Sequence, residues 1–368
     1  MTEWRECKLG DVIVLNYGKA LPEKKRVFGN IPVYSSAGLT GYHNESLVNG
    51  RGIIIGRKGT IGSVHFSYKP FWCIDTAYYI TDNEEYNLKY IYYLLQTLGL
   101  NELNEDSAVP GLNRNTAYQQ DISFPPLPEQ KAIAEFLSSL DDKIDLLTRQ
   151  NKTLEDLAQT YFRKWFVEDS SDDWDVGKAE DYFEIGIGKT PPRKEHKWFT
   201  NNPNDKVWIS IADMGKSGLF IGDSSEYLTS EAVERFNIRR VPKGSILLSF
   251  KLTVGRVAVA LCELTTNEAI AHFKYKEAIY REYLYCYLKS FDYNSLGSTS
   301  SIATAINSTI IKEMPFVMPD KCKLTKFHEL TAPIFRKIET NILQMTTLQK
   351  LRDTLLPKLI SGEVRVKQ

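Results

Sequence analysis

The sequence predicts a mixed α/β (α+β) protein organised as a tandem repeat, in which each of two globular heads is followed by a long amphipathic helix. Three observations lead there. Residues recur in order at nearly constant offsets through most of the chain. Short apolar and aromatic runs bounded by turn-forming residues punctuate each half. In the stretch that closes each half, an apolar residue returns every three or four positions.

The repeat comes first because it sets the boundaries of everything else. At an offset of 170, Trp4 matches Trp174, Lys8 matches Lys178, Asp11 matches Asp181, Gly18-Lys19 matches Gly188-Lys189 and Pro22 matches Pro192. At 193, Lys58-x-Thr60-Ile61-Gly62 matches Lys251-x-Thr253-Val254-Gly255. At 194, Asn113 matches Asn307, and the tails align from Lys143-Ile144 with Lys337-Ile338 to Lys164 with Lys358. Matches that keep their order and spacing for so long imply one backbone plan used twice.

Within the heads, Val12–Leu15, Gly52–Ile55 and Ala77–Ile80 read as strands, with Ser245–Leu248 and Val257–Ala260 in the second half. Leu88–Leu98 reads as a helix, with Tyr283–Lys289 as its partner. After Phe124-Pro125-Pro126-Leu127-Pro128-Glu129-Gln130, proline and an acidic residue mark a helix start. Ile133, Leu137, Leu140, Ile144, Leu147, Asn151, Leu154, Ala158, Tyr161 and Trp165 then form a heptad seam, in which Asn151 would fix register at some cost in stability. The second copy runs through Phe327, Leu330, Ile334, Ile338, Ile342, Met345, Leu348, Leu351, Leu355 and Leu359. It is interrupted by Pro333 and Pro357, so that helix is expected to begin after Pro333 or to kink there. Packing the two stripes against each other, antiparallel and with pseudo-twofold symmetry, is the simplest way to bury both. The boundaries expected are a head over 1–125, a helix over 126–168, a head over 169–318 and a helix over 319–368.

The bulk numbers exclude more than they assign. At 368 residues the chain can hold several cores. Its 46 basic and 46 acidic residues cancel, and neither head carries a basic excess, so contact with a polyanion would rest on local patches or on a partner's charge. The five cysteines are scattered and form no Cys-x-x-Cys pair, which speaks against a disulfide framework or structural zinc. No signal-peptide pattern and no membrane-length apolar run is seen, so a cytoplasmic location without membrane contact is expected.

Taken together, these pieces resemble the specificity subunit of a Type I restriction-modification system, over essentially the whole chain. The resemblance rests on the Trp-x-x-x-Lys-Leu-Gly-Asp-Val opening of residues 4–12, on Gly56-Arg57-Lys58-Gly59-Thr60-Ile61-Gly62, on Pro110-Gly111-Leu112-Asn113, and on Phe124–Gln130 leading into the helix. In the second half the last motif is reduced to Phe316-Val317-Met318-Pro319-Asp320. The resemblance implies two target-recognition domains, each reading one half of a split double-stranded DNA sequence. It also implies a helical spacer whose length sets the gap and which docks two methyltransferase subunits. S-adenosylmethionine would belong to those subunits, this chain would have no cofactor and no catalysis of its own, and the assembly would exist with or without restriction subunits (translocase and endonuclease) as further partners.

Loops rich in cationic and small residues suit phosphate contact. In the first head these are Lys24, Lys25, Arg26, Arg57, Lys58, Thr60, Asn113 and Arg114. In the second they are Lys189, Arg193, Lys194, Lys251, Thr253, Arg256 and Asn307. Base readout is expected on residues the repeat does not match, such as Ser35, Ser36, Tyr42, His43, Arg239 and Arg240. His65, His196, His272 and His328 show no metal-ligand spacing and are expected as surface or strand residues. Tyr90–Tyr93, at helical spacing, is expected in the core rather than stacked on bases. Phe162, Trp165 and Phe166 either dock partner helices or seal the helix pair.

Rival readings are weaker. Gly186-Ile187-Gly188-Lys189-Thr190 has the end of a phosphate-binding loop, but Phe183 occupies the position of its first glycine. A methyltransferase would need a glycine-rich cofactor loop and an Asn/Asp-Pro-Pro-aromatic loop, neither of which is present with the right spacing. A coiled-coil scaffold that binds only protein is the remaining alternative.

Overall fold

A computed structural model describes residues 4–103, 111–297 and 306–366. The chain forms two units, Met1–Ile144 with Thr346–Gln368, and Asp145–Met345.

In the first unit, strand Arg5–Lys8 pairs antiparallel with Asp121–Phe124 and ties the two ends of the head together. The strand expected at Val12–Leu15 does not form. The Asp11 carboxylate accepts the Lys8 N–H at 2.9 Å and folds Leu9–Asp11 into a single 3-10 turn, so the next strand is Asn16–Tyr17. That strand opens a four-stranded sheet continued by Ala77–Thr81, Gly52–Gly56 and Val64–Ser67. Gly38–His43, Ile31–Ser35 and Trp72–Cys73 form a second, three-stranded sheet. Helix Leu88–Thr97, capped by Asn87, buries Tyr90, Ile91, Tyr93 and Leu94 in the main core, so the tyrosine run is structural as expected. Ile133 and Leu137 from the first long helix, and Leu359 and Ile360 from the end of the second, complete that core. Each such large apolar side chain contributes roughly 1.5–3 kcal/mol on burial.

The second unit repeats this register. Asp175–Lys178 pairs with Pro315–Met318 residue for residue as the offsets of 170 and 194 require. Lys178 N–H donates to Asp181 at 2.9 Å, the counterpart of the Lys8–Asp11 bond. The strand order Glu184–Ile187, Ile270–Lys274, Ile246–Ser249, Val257–Ala260 copies the four-stranded sheet of the first unit and adds Phe220–Ile221. The rise in offset from 170 to 193 marks 23 extra residues between Lys189 and Ser245. This stretch carries its own core around Trp198, Trp208 and Leu228.

The first long helix is Leu127–Arg163, extended by a wider π-type turn at Lys164–Glu168. Its opening motif acts as a clamp: the buried Gln130 side chain donates to the Pro125 carbonyl and accepts from Asn87 N–H, while Glu129 accepts from the Trp4 indole at 2.9 Å. The second long helix is Lys321–Ile360. It therefore starts twelve residues before Pro333, not after it. Proline deprives the Glu329 carbonyl of its usual partner, and both residues are exposed, so water can satisfy that oxygen. In the first unit the two helices run in opposite directions with Arg352 donating to Asp141 at 2.8 Å. In the second unit the fully buried Asn341 donates to Asn151 at 2.7 Å and to Gln150 at 2.9 Å, a polar layer in an otherwise apolar seam. One sequence expectation for the helices changes, and one pair of open alternatives is decided. Leu330 is exposed, and Thr331 takes the inner position beside it. Phe162 and Phe166 are buried against Tyr283 and Phe327, with Trp165 half-buried on Phe327, so they seal the second unit instead of offering a docking face.

Candidate nucleic-acid interface

The loop that closes the central hairpin of each unit carries two of the predicted cations, Arg57 and Lys58 in the first unit and Lys251 and Arg256 in the second. In the first unit it spans residues 56–63, and Gly56 and Gly62 hold it shut: Gly56 N–H donates to Ser63 O and Gly62 N–H to Gly56 O. Gly59 and Gly62 adopt φ of +78° and +68°, a conformation costly for other residues. Arg57 and Lys58 leave this loop beside the short helix Arg114–Tyr118, whose N-cap is Asn113. Together with Tyr17 and Tyr78 they line a cleft of about 230 Å³.

The electrostatics of that cleft are one-sided. Tyr17 lies edge-on to Tyr78 at 5.1 Å. The Arg57 and Arg114 guanidiniums sit 5.3 and 5.2 Å from the Tyr17 ring centre. Neither arginine forms an ion pair with a carboxylate among the described residues, and the Nε of each is buried without a hydrogen-bond partner. Burial first, and the Tyr17 hydroxyl second, push the Tyr78 phenol up to about 12, so at neutral pH it stays protonated and donates to the Leu112 carbonyl. Two stacked guanidiniums, with the exposed Lys58 ammonium on the same rim, make a concave cationic surface on an aromatic floor, suited to a phosphate or another oxyanion.

Other first-unit candidates lie elsewhere. Lys24 and Lys25 are exposed in the 3-10 turn Glu23–Lys25, which Arg26 fixes by donating to the Thr40 carbonyl at 2.8 Å. Thr60 is exposed on the hairpin loop. The Asn113 side chain accepts from Asn115 N–H, and its match Asn307 accepts from Thr309 and Ile310 N–H, so this repeated asparagine serves as a helix cap in both units. Pro110 of the first-unit motif lies outside the described residues.

Second-unit candidates are mostly engaged within the protein. Lys189 donates to the Phe236 carbonyl at 2.7 Å. Arg193 pairs with Glu226 at 2.8 Å and stacks on Phe199 and Trp208. Arg256 donates to the Ile211 carbonyl. Lys194, Lys251 and Thr253 stay exposed. The expected base readers fare unevenly. Ser35, Ser36 and His43 are buried: the Ser35 hydroxyl donates to the Gly38 carbonyl, Ser36 N–H donates to the Thr76 hydroxyl, and His43 accepts from Val27 N–H. Tyr42 is exposed, and Arg239 and Arg240 lie near Glu184 and Glu263. Tyr17 escaped the sequence reading, since nothing local shows that a tyrosine 40 positions before Arg57 lies beneath it.

Duplicated heads with cationic hairpin loops, each completed by long helices, define a DNA-recognition class of protein. A family model described as the Type I restriction modification DNA specificity domain matches residues 1–156 and 171–344, once for each repeat. The chain belongs to this family, and as one of its specificity subunits it has no catalysis of its own. The Type I restriction enzyme MjaIX specificity subunit of Methanocaldococcus jannaschii is 27% identical over 346 residues, covering 86% of this chain and 78% of the relative. The HindI specificity subunit of Haemophilus influenzae is 22% identical over 331 residues, covering 69% and 71%. In fold, the chain is similar to the solved Type I restriction-modification S subunit from M. genitalium, with a TM-score of 0.61 at 17% identity over 97% and 96% of the two chains. Among the described residues no helix is long and apolar enough to cross a membrane, and no cluster of His, Cys, Asp and Glu could hold a metal ion.

Proposed function

We propose that this chain reads a bipartite duplex target, one half per head, within an assembly whose methyltransferase subunits bring S-adenosylmethionine and the chemistry. The observation that carries this reading is the cleft of Arg57, Arg114 and Tyr17. Two guanidiniums without carboxylate partners among the described residues are costly to hold beside one another unless an anion joins them, and the phosphate backbone supplies one. Lys58 and Thr60 extend that surface, and Lys24 and Lys25 give a second cationic loop. Lys194, Lys251 and Thr253 are the corresponding phosphate-facing candidates of the second head. The exposed Leu146 and Leu157 on the first long helix offer apolar contacts for partner subunits.

A mobility-shift titration of the chain assembled with its methyltransferase subunits tests the reading. Arg57→Ala with Arg114→Ala should weaken binding alike for all sequences and lower the salt dependence by about one phosphate contact per arginine. Exchanging residues 1–125 for another such head should change one half of the recognised sequence and leave the other intact. Absence of any sequence-selective shift at every salt concentration would overturn DNA reading and favour a protein-only scaffold.

A further inference from the structure

The second unit's hairpin loop, residues 249–256, is closed by the same bonds as its counterpart. Ser249 N–H donates to Arg256 O and Gly255 N–H to Ser249 O, while Phe250 N–H reaches Ala269 O just as Arg57 N–H reaches Thr76 O. At the tip the two loops part. Where the first unit has Gly59 at φ +78°, the second has Leu252 at φ +61°, one of two non-glycine residues with positive φ among the described residues. Its side chain is 97% exposed.

Two unfavourable features meet in this residue, a left-handed backbone on a branched side chain and an apolar group in water. The fold requires neither, since glycine closes the matching loop. Strain kept at a surface position points to what the side chain meets there. The platform beneath Leu252 is stiff: Phe250 is buried, Ser249 Oγ donates to the Thr253 carbonyl at 2.6 Å, and Arg256 is tied to Ile211. The loop holds Lys251 and Arg256 and no acidic residue, so its charge complements a polyanion. The immediate neighbours of Leu252, Lys251 and Thr253, are polar, and Val254, 37% exposed, is the other apolar side chain that the loop shows to solvent, so the apolar surface is small and centred on Leu252.

We propose that Leu252 is a specificity-determining residue of the second head, packing on the 5-methyl group of a thymine in the major groove while Lys251 and Thr253 face the adjoining phosphates. This rests on the DNA-reading function proposed above. The experiment uses the full chain assembled with its methyltransferase subunits. Mapping methylated adenines first defines the bipartite target of the wild-type complex, and each thymine of the second half-site is then replaced singly by deoxyuridine in competition binding. One replacement should weaken binding about fourfold, the worth of one buried methyl group. Leu252→Gly should bind the natural target about fourfold less tightly, become indifferent to that replacement, keep its first half-site preference and lose no thermal stability. The assignment is overturned by a second half-site without thymine, by silence of every deoxyuridine replacement, or by unchanged affinity and methylation pattern in Leu252→Gly. Loss of methyltransferase binding in that variant would make Leu252 a protein contact instead. A wild-type complex with no sequence selectivity would overturn the underlying function, before Leu252 is reached.

Discussion

Residues 56–63 and 249–256 close their hairpins with the same backbone bonds and then do opposite things with them. In the first loop Arg57 leaves the core to stack over Tyr17, and the tip is a glycine. In the second, Phe250 occupies the matching position inside the core, and the tip is an exposed leucine. Tyr17, Tyr78 and Arg114 are likewise replaced, by Ile187, Ala271 and Ser308 at the repeat offsets. A shared scaffold thus carries two surfaces, one lined by two guanidiniums over a tyrosine and one presenting an exposed leucine. Positions that agree between the units report on folding, and positions that disagree report on what each unit meets.

Substitutions can break this contrast. Phe250→Arg, which writes the first unit's residue into the second, buries an unpaired charge and should cost roughly 3–5 kcal/mol. Arg57→Phe, at a half-buried position, should cost far less. Guanidinium titrations of the two variants compare the losses, and equal ones would erase the contrast. Next in size is an acid effect confined to the second unit. Burial first, then Arg239 and Lys274, lower His272 from 6.5 to about 3. Below 6.5 the unfolded chain takes up a proton that the folded chain refuses, so stability falls as pH drops from 6.5 to about 3 and is level above that range. The slope should be about 1.4 kcal/mol per pH unit. Tyr79 occupies the matching position in the first unit, and His272→Gln should flatten the profile; an unchanged acid midpoint would contradict the assignment. A smaller test addresses what the units share: Asn113→Ala and Asn307→Ala should each cost about 1 kcal/mol of helix capping. A clear inequality in denaturation midpoints would show that the caps are not equivalent. Smallest is Leu252→Gly, where relief of the left-handed backbone, set against the greater freedom of unfolded glycine, leaves a net gain of about 0.5 kcal/mol. A measured loss would mean that Leu252 is held by the fold.

The repeat made much of this architecture legible in advance. Offsets of 170 and 194 relate Arg5 to Asp175 and Phe124 to Met318, so the strand pairing found in one unit recurs at the matched positions of the other. The spacing from Ile133 to Trp165 located the first seam and its asparagine. What stayed hidden depended on contacts distant in sequence. The second long helix looked broken because Pro333 is judged by local rules, whereas its exposed position lets water do the missing bonding. Ser35, Ser36 and His43 looked like surface polar residues, and their burial goes with bonds to Gly38, Thr76 and Val27. The cleft was half visible: its cations stand in motifs, but its tyrosine floor arrives from separate strands. The added core around Trp198 and Trp208 has no counterpart in the first half against which to read it.

The sequence limits of the two units bear on the order in which the chain can be completed. The second unit is contiguous, Asp145–Met345, whereas the first needs Thr346–Gln368, including Leu359 and Ile360 of its core. During synthesis from the amino end, domains tend to fold as they emerge. Here the head made first must wait with an open apolar face until the segment from Thr346 onward, with Leu359 and Ile360, has been added, while the head made second already has all its parts.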